Sequence, residues 1–285
     1  MRADHGGGWD RRKDAEKEKK TDIKIGFWNI NGLKKKNVQF WNYIKEFDII
    51  GMVETFVEKK RWNELKDSIP QNFNWKCQHA KREKNKGRSM GGIITGVKRN
   101  IKEENEEEVK RTMMEGVQVR RVTIGKDKWK IVTIYKHKKQ GITEIMKEIK
   151  TLIAKDNEEN LLIGGDFNAR IGHKGTIWRN NRNGIRRRSR DKKINTEGNK
   201  LLKEIKERGW YILNGNIAGD EEGEFTFIGP RSSSVIDYAI SNVESGGKID
   251  RLVVDKKEES DHLPICVYIY TNSGHKEHAG DRGKY

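Results

Sequence analysis

Cysteine, proline and long apolar runs are all scarce in this 285-residue chain, and each scarcity closes off a class of protein. Two cysteines, Cys77 and Cys266, are too few for a disulfide framework or a thiolate zinc site, and they fit a reducing compartment. No stretch approaches the roughly 18–20 apolar residues that a membrane-spanning helix needs. The charged opening MRADHGGGWDRRKDAEKEKK does not read as a secretory signal. The expectation is an intracellular protein with no membrane partner. Three prolines and the lack of an internal repeat leave no linker to divide the chain. HExxH, paired CxxC, GxxxxGK[ST] and the dinucleotide fingerprint are missing too, so zinc hydrolysis, nucleotide-driven chemistry and hydride transfer have no support.

Charge is abundant. Sixty Lys and Arg against 43 Asp and Glu give a net charge of +17. Such a field draws polyanions and raises their encounter rate at low salt. Nucleic acid is the expected partner, ahead of acidic lipid or protein surfaces. Apolar residues are only 33% of the chain, but they cluster in short runs, which is enough to build a core. The runs predict strands at Ile23–Ile30, Asp48–Val53, Met90–Val97, Gly116–Ile124, Trp129–Tyr135, Asn160–Gly165, Phe225–Ile228, Val235–Ile240, Ile249–Val254 and Leu263–Tyr270. Helical spacing joins Trp41, Ile44 and Phe47. It also joins Ile142, Ile145, Met146, Ile149, Leu152 and Ile153, and again Leu201, Leu202 and Ile205 in a helix starting near Glu197. The charge run Ile101–Lys110 reads as a solvated turn or strand edge. Strand pairs mixed with isolated helices predict an α/β domain of two packed sheets over residues 23–271. A charged flexible segment at 1–22 precedes it, and a polar tail at 272–285 follows.

Polar residues sit where several of these runs end. Asp166 and Asn168 follow an apolar strand and a glycine pair in GGDFNARIG, where the carboxylate can orient or deprotonate water and the amide can hold it. The alternative is an ordinary Asx turn capping the strand. Glu54 closes IIGMVE, either reaching solvent or binding Mg²⁺, which takes hard oxygens and needs few protein carboxylates. Asn29 and Asn31 follow IKIGFW beside it. His262 lies between an acid and a strand in SDHLPI, and an imidazole there needs a carboxylate to fix its tautomer. Asp237, inside the apolar run SVIDYAIS, is the candidate partner, since an unpaired buried carboxylate is costly. Asp261 can then face a metal; a surface Asp–His pair is the plainer alternative. Tyr135 ends KWKIVTIY, where a phenol can reach a phosphate oxygen or pack in the core. His137 reads as a surface residue, and His173 as at most a substrate contact. The basic segment Arg179–Lys193 carries eight cations and one acid, so Arg186, Arg187 and Arg188 are candidate backbone contacts; a plain basic loop is the alternative. Lys81–Arg88 is a second such stretch.

In order, FWNING, GMVETF, IVTIY, LLIGGDFNARIG, SVIDYAIS and SDHLPICVYI resemble the endonuclease/exonuclease/phosphatase superfamily. The likeness is greatest to the apurinic-like endonuclease domains of non-LTR retrotransposons, and extends to the proteins called craniofacial development protein 2-like. It spans about Ile23 to Tyr270, and GDFN followed by SDH is its specific part. The resemblance implies a four-layered α/β sandwich of two packed mixed sheets flanked by helices. It implies Glu54, Asp261 and Asn29 on the metal side, with Mg²⁺ as cofactor and Mn²⁺ as a substitute. Tyr135 corresponds to a phosphate-contacting tyrosine, Asp166 and Asn168 to the pair that activates water, and Asp237 to the partner of His262. The implied reaction nicks DNA to leave 5′-phosphate and 3′-hydroxyl ends, in a nuclear monomer with a functional link to a reverse transcriptase. An RNase or phosphatase on the same scaffold, or a binding remnant without activity, are the other readings. The chain departs from the family at YKHKK, where relatives carry a YxP string. It departs again at Asn31, where some relatives have Asp, and at Phe56, where some have His.

Overall fold

The computed structural model describes residues 22–34, 36–82, 87–104, 115–153, 159–176, 186–257 and 259–271. Apart from Asp22, the two terminal segments expected from sequence lie outside these residues, as does most of the charge run after Glu104. The strands are β1 (Asp22–Asn29), β2 (Ile49–Val53), β3 (Phe73–Gln78), β4 (Ile93–Lys98), β5 (Lys102–Glu103), β6 (Val117–Ile124) and β7 (Asp127–Tyr135). They continue with β8 (Asn160–Asp166), β9 (Tyr211–Ile212), β10 (Phe227–Ile228), β11 (Ser233–Ser234), β12 (Asp237–Ser241), β13 (Ile249–Val254) and β14 (Ile265–Tyr270). The helices are α1 (Val38–Lys45), α2 (Lys59–Leu65), α3 (Ile142–Ile153) and α4 (Thr196–Arg208). One sheet has the order β13-β14-β1-β2-β4-β3, the other β5-β6-β7-β8-β12-β9, and β10 and β11 form a separate hairpin. Both large sheets are mixed, with β1 parallel to β2 and β7 parallel to β8.

Alternation along the strands sorts the side chains into three apolar layers. Phe27, Ile131, Leu162 and Val267 meet between the sheets. Trp28, Ile50 and Cys266 face the other way, onto Phe40, Tyr43 and Ile44 of α1. Leu161, Ile163 and Ile240 pack under Ile145, Ile149, Leu201 and Ile205 of α3 and α4. The result is the helix–sheet–sheet–helix sandwich anticipated from the sequence. Arg120 ties the sheets at one edge: its buried guanidinium donates to Glu103 and to the carbonyls of Thr95 and Asn74. Among the described residues no helix is long and apolar enough to cross a membrane.

Glycine sets the closeness of the two sheets. A Cβ on Gly164 would lie 2.2 Å from the Phe27 ring, and one on Gly51 would lie 2.2 Å from the Thr133 hydroxyl. Gly164→Ala should therefore lower stability by about 1–3 kcal/mol through overpacking. A urea melt that leaves the midpoint unchanged would show that the sheets yield instead.

The structure moves several expected boundaries. α1 buries Phe40, Tyr43 and Ile44, leaves Trp41 half-buried and places Phe47 beyond its end. The strand expected from Val235 starts at Asp237, because the Val235 and Ile236 amides donate to Asp191 and to the Thr226 hydroxyl. The strand expected from Phe225 shortens to Phe227–Ile228, β5 forms a sheet edge at the start of the charge run as one of its two readings had it, and α2, β3, β9 and β11 were not anticipated.

Candidate active site

Strand register brings the polar residues to one end of the sandwich. Asn29 lies opposite Val53, so the carboxyl ends of β1 and β2 deliver Asn29 and Glu54 together. In the facing sheet Tyr135 lies opposite Asp166, and Asp166 opposite Asp237. His262 precedes β14, bridges to Phe227, and accepts the Trp28 indole N–H on its carbonyl at 2.8 Å. Glu54 and His262 thus share one end of the molecule.

Asp166 is the centre of the buried part. Gly165 at φ 133° turns the strand end, and a Cβ there would strike the Ile134 carbonyl oxygen at 2.0 Å. The Asp166 Oδ1 then accepts the Asn168 amide at 2.8 Å, holding Asn168 at φ 45°. That is an Asx turn, so the capping and chemical readings of this string describe the same atoms. Oδ2 accepts the side-chain amides of Asn29 at 3.0 Å and Asn168 at 3.2 Å. Burial pushes the Asp166 carboxyl well above the usual range, and the neighbouring Asp237 charge adds to the shift.

His262 Nδ1 lies 2.9 Å and 3.0 Å from the two oxygens of Asp237, and both side chains are buried. Burial alone would discharge the ring. Asp237 outweighs it, by its charge and then its hydrogen bond, and holds His262 up at about 9. The imidazole is accordingly a cation at neutral pH, with Nδ1 committed to Asp237 and Nε2 left for another acceptor.

Glu54 is half-buried at φ 51°, and its carboxylate accepts the Tyr135 hydroxyl. Burial, then Glu54, raises the tyrosine further from ionisation. The turn after Tyr135 needs no proline. The His137 amide donates to Gln140 Oε1 and the Gln140 amide returns to the His137 carbonyl, while Lys136 N–H reaches the Asp166 carbonyl. His137 is half-buried rather than on the open surface. Asn31, exposed and at φ 45°, donates from Nδ2 to Asp261 Oδ1 at 3.3 Å.

Two groupings compete as a cation site. Ligand atoms of Asp166, Asp237 and His262 lie within 4.8 Å of one another. That trio already forms a buried ion pair beside a carboxyl group. Glu54, Asp261 and Asn29 do not touch directly: Asn29 contacts Asp166, Asp261 contacts Asn31 and Ser260, and the Glu54 side chain meets the Tyr135 hydroxyl. Its hard oxygens are the better fit to Mg²⁺ or Mn²⁺, since the Glu54 carboxylate has a single partner among the described residues. The like charge crowded at Asp166 and Asp237 is the kind of burial that a nearby divalent cation relieves.

Among the basic candidates, Arg187 is corrected by the structure. It is 3% exposed and spends its guanidinium on the carbonyls of Asn214, Gly172 and Lys174, so it braces the loop instead of facing a ligand. Segment 186–191 alternates, turning Arg187, Ser189 and Asp191 inward and Arg186, Arg188 and Arg190 outward. Arg188 pairs with Glu222 and Arg190 with Glu224. With His173 and Lys192, the outward arginines line a cleft of about 460 Å³. Residues 177–185 of the expected basic loop lie outside the described residues.

Two site hydroxyls were not singled out from sequence. Thr226 is fully buried, and its Oγ1 accepts the amides of Ile236 and Asp237, fixing the entry to β12. Ser260 donates to the Asn29 carbonyl at 2.8 Å and accepts the His262 amide at 3.2 Å, joining the two halves of the site. Ser260 stood in the string SDH; Thr226 carried no sequence signal.

The sequence matches the family described as endonuclease-reverse transcriptase over residues 129–266, and it matches no curated protein. Among solved structures, it is similar to the endonuclease domain of TRAS1, a telomere-specific non-LTR retrotransposon. Identity is 17% and the TM-score 0.59, covering 87% of this chain and 98% of that one. The AP endonuclease LMAP from Leishmania major has 12% identity and a TM-score of 0.63, covering 87% of this chain and 88% of that one. The 3′-5′ exonuclease NExo from Neisseria meningitidis has 15% identity and a TM-score of 0.59, covering 87% and 99%. At these identities the structural likeness is one of fold. Residues 129–266 thus carry the sequence match to that family, and the described residues share the α/β fold of these nucleases.

Proposed function

We propose that the chain is a divalent-metal-dependent phosphodiester hydrolase that nicks one strand of DNA, leaving a 5′ phosphate and a 3′ hydroxyl. The observation that carries this reading is Asp166, buried, raised toward neutrality and oriented by two amides, beside the charged His262–Asp237 pair. A carboxylate whose affinity for protons approaches that of its surroundings is tuned to accept one from water.

Asp166 takes the proton as water attacks phosphorus, with Asn29 and Asn168 holding the carboxylate oxygen in place. The P–O3′ bond breaks as the new P–O bond forms, and the 3′ oxygen leaves with a proton from solvent. His262 donates from Nε2 to a non-bridging phosphate oxygen whose charge grows in the transition state, and Asp237 keeps the ring cationic and oriented. Tyr135 exchanges its bond to Glu54 for one to the phosphate. Mg²⁺ or Mn²⁺, when held by Glu54, Asp261 and the Asn29 amide oxygen, would supply charge neutralisation at the phosphate and leaving oxygen. Asn31, Arg186 and Arg188 serve substrate contact. A retroelement setting accounts for the match to endonuclease-reverse transcriptase, and on this reading the enzyme works in the nucleus, on DNA and alongside a reverse-transcription step.

Supercoiled plasmid tests the reading. Mg²⁺ should convert it to open circles that DNA ligase reseals, and EDTA should prevent the conversion. RNA and phosphomonoesters run alongside should turn over far more slowly. No nicking with either Mg²⁺ or Mn²⁺, or nicks that ligase cannot close, would refute it.

A further inference from the structure

We infer that Arg88 grips a phosphate of the substrate strand next to the scissile one, on the side of the site formed by Glu54 and Asp261. The inference rests on the nuclease reading and adds to it a specific arm for backbone contact.

Arg88 is exposed, yet held in place. Its guanidinium carbon lies 3.7 Å from the centroid of the Phe56 ring, and Nη2 donates to the Asn31 carbonyl at 3.2 Å and to Asn31 Oδ1 at 3.0 Å. With Oδ1 taken by Arg88, the Asn31 Nδ2 is directed to Asp261. Phe56 lies two residues past Glu54, its amide donates to the Gly91 carbonyl, and its carbonyl accepts the Ser89 hydroxyl. Three loops are thereby knitted under the guanidinium. Asn31, Glu54 and Phe56 hold φ of 45°, 51° and 53°, a concentration of left-handed side-chain-bearing residues that costs energy.

The charge on Arg88 is uncompensated among the described residues, unlike that of several other arginines. Arg82 faces Glu58, Arg170 faces Asp191, Arg188 faces Glu222 and Arg190 faces Glu224. Among the described residues Arg88 has no carboxylate partner, and its Nε and Nη1 meet no acceptor. Contact with the Phe56 ring holds the guanidinium in place and leaves Nε–H and Nη1, on opposite sides of the group, each able to donate singly to a phosphate oxygen. Little rotamer entropy remains to be lost on binding. Lysine could supply the charge but neither the bonds to Asn31 nor the stack in the same way.

Binding of a short fluorescent duplex, measured by anisotropy across a salt series in the Asp166→Asn background, tests the assignment. Arg88→Ala should weaken binding about tenfold and reduce the slope of log affinity against log salt by roughly 0.9, the loss of one phosphate contact. Arg88→Lys should keep the slope and recover only part of the affinity. In the otherwise wild-type enzyme, Arg88→Ala should raise KM with kcat nearly unchanged, and leave the Mg²⁺ midpoint where it was. An unchanged salt slope overturns the inference. So does a shifted Mg²⁺ midpoint with the slope intact, which would make Arg88 a brace for Asn31 and Asp261. Nicking by the wild type with no slope change in Arg88→Ala sinks this assignment alone. A slope change in a protein that never nicks keeps the phosphate contact and sinks the nuclease reading.

Discussion

Asp166→Asn should lower the nicking rate by between roughly 10² and 10⁴-fold, the range by which a positioned proton acceptor accelerates reactions. The substitution keeps the shape of the side chain and an oxygen for the Asn168 amide, which donates to Oδ1 at 2.8 Å. What it removes is the ability to take a proton from water. It also removes a buried acid crowded by Asp237, a gain offset where the new amide nitrogen meets the Asn29 and Asn168 side-chain amides that Oδ2 accepted, so the folded state should stay close to the parent in stability. DNA affinity should hold or improve, since one negative charge has left the phosphate's neighbourhood. That combination, a lost rate with stability and binding retained, separates chemistry from misfolding. A variant within tenfold of the parent would remove Asp166 from the proton transfer.

The second large effect belongs to His262. His262→Gln should cost about 10² to 10³ in kcat, as expected for removing one donor to a developing oxyanion. The pH profile sharpens this. His262 is held at about 9, so it stays protonated across neutral pH and loses its proton only as pH rises through that value. Activity should therefore fall above about pH 9 in the parent enzyme, and this limb should vanish in His262→Gln. The stability contribution carries the same sign: a histidine raised in the fold stabilises fully below its unfolded value near 6.5 and loses this as pH climbs through about 9. At the other end, activity should rise with pH as Asp166 ionises, at a value above that of an ordinary carboxylate. Asp237→Asn should move the alkaline limb downward, because the charge that sustains the imidazolium is gone. A limb that stays near 9 in Asp237→Asn would show that another group sets it.

Much of this architecture was legible because burial on both faces writes continuous apolar runs. β2, β7, β8 and β14 read out directly, and the stripes of α3 and α4 follow from their contact with a single sheet face. α2 left no trace for the opposite reason, since it buries none of its residues. β3 sits at a sheet edge with several half-exposed positions, and β9 and β11 are two-residue pairings whose existence depends on their partners. In the site, acids and amides at the ends of apolar runs stood out because burial there is expensive without a purpose. Thr226 did not, since a hydroxyl before a strand is ordinary until its long-range acceptance of the Asp237 amide is seen. Arg187 misled for a related reason. Within a run of arginines, only the alternation of the backbone against Gly172 and Asn214 distinguishes the inward residue from its outward neighbours.

The decisive experiment is anomalous diffraction from crystals grown with Mn²⁺ and a short uncleaved duplex. One strong Mn²⁺ peak should lie within bonding distance of the Glu54 carboxylate, between it and a phosphate oxygen, with the His262 imidazole facing the same phosphorus. A peak bound only by Asp166 and Asp237, or a duplex seated at the opposite end of the sandwich, would contradict the assignment of this face to phosphodiester cleavage.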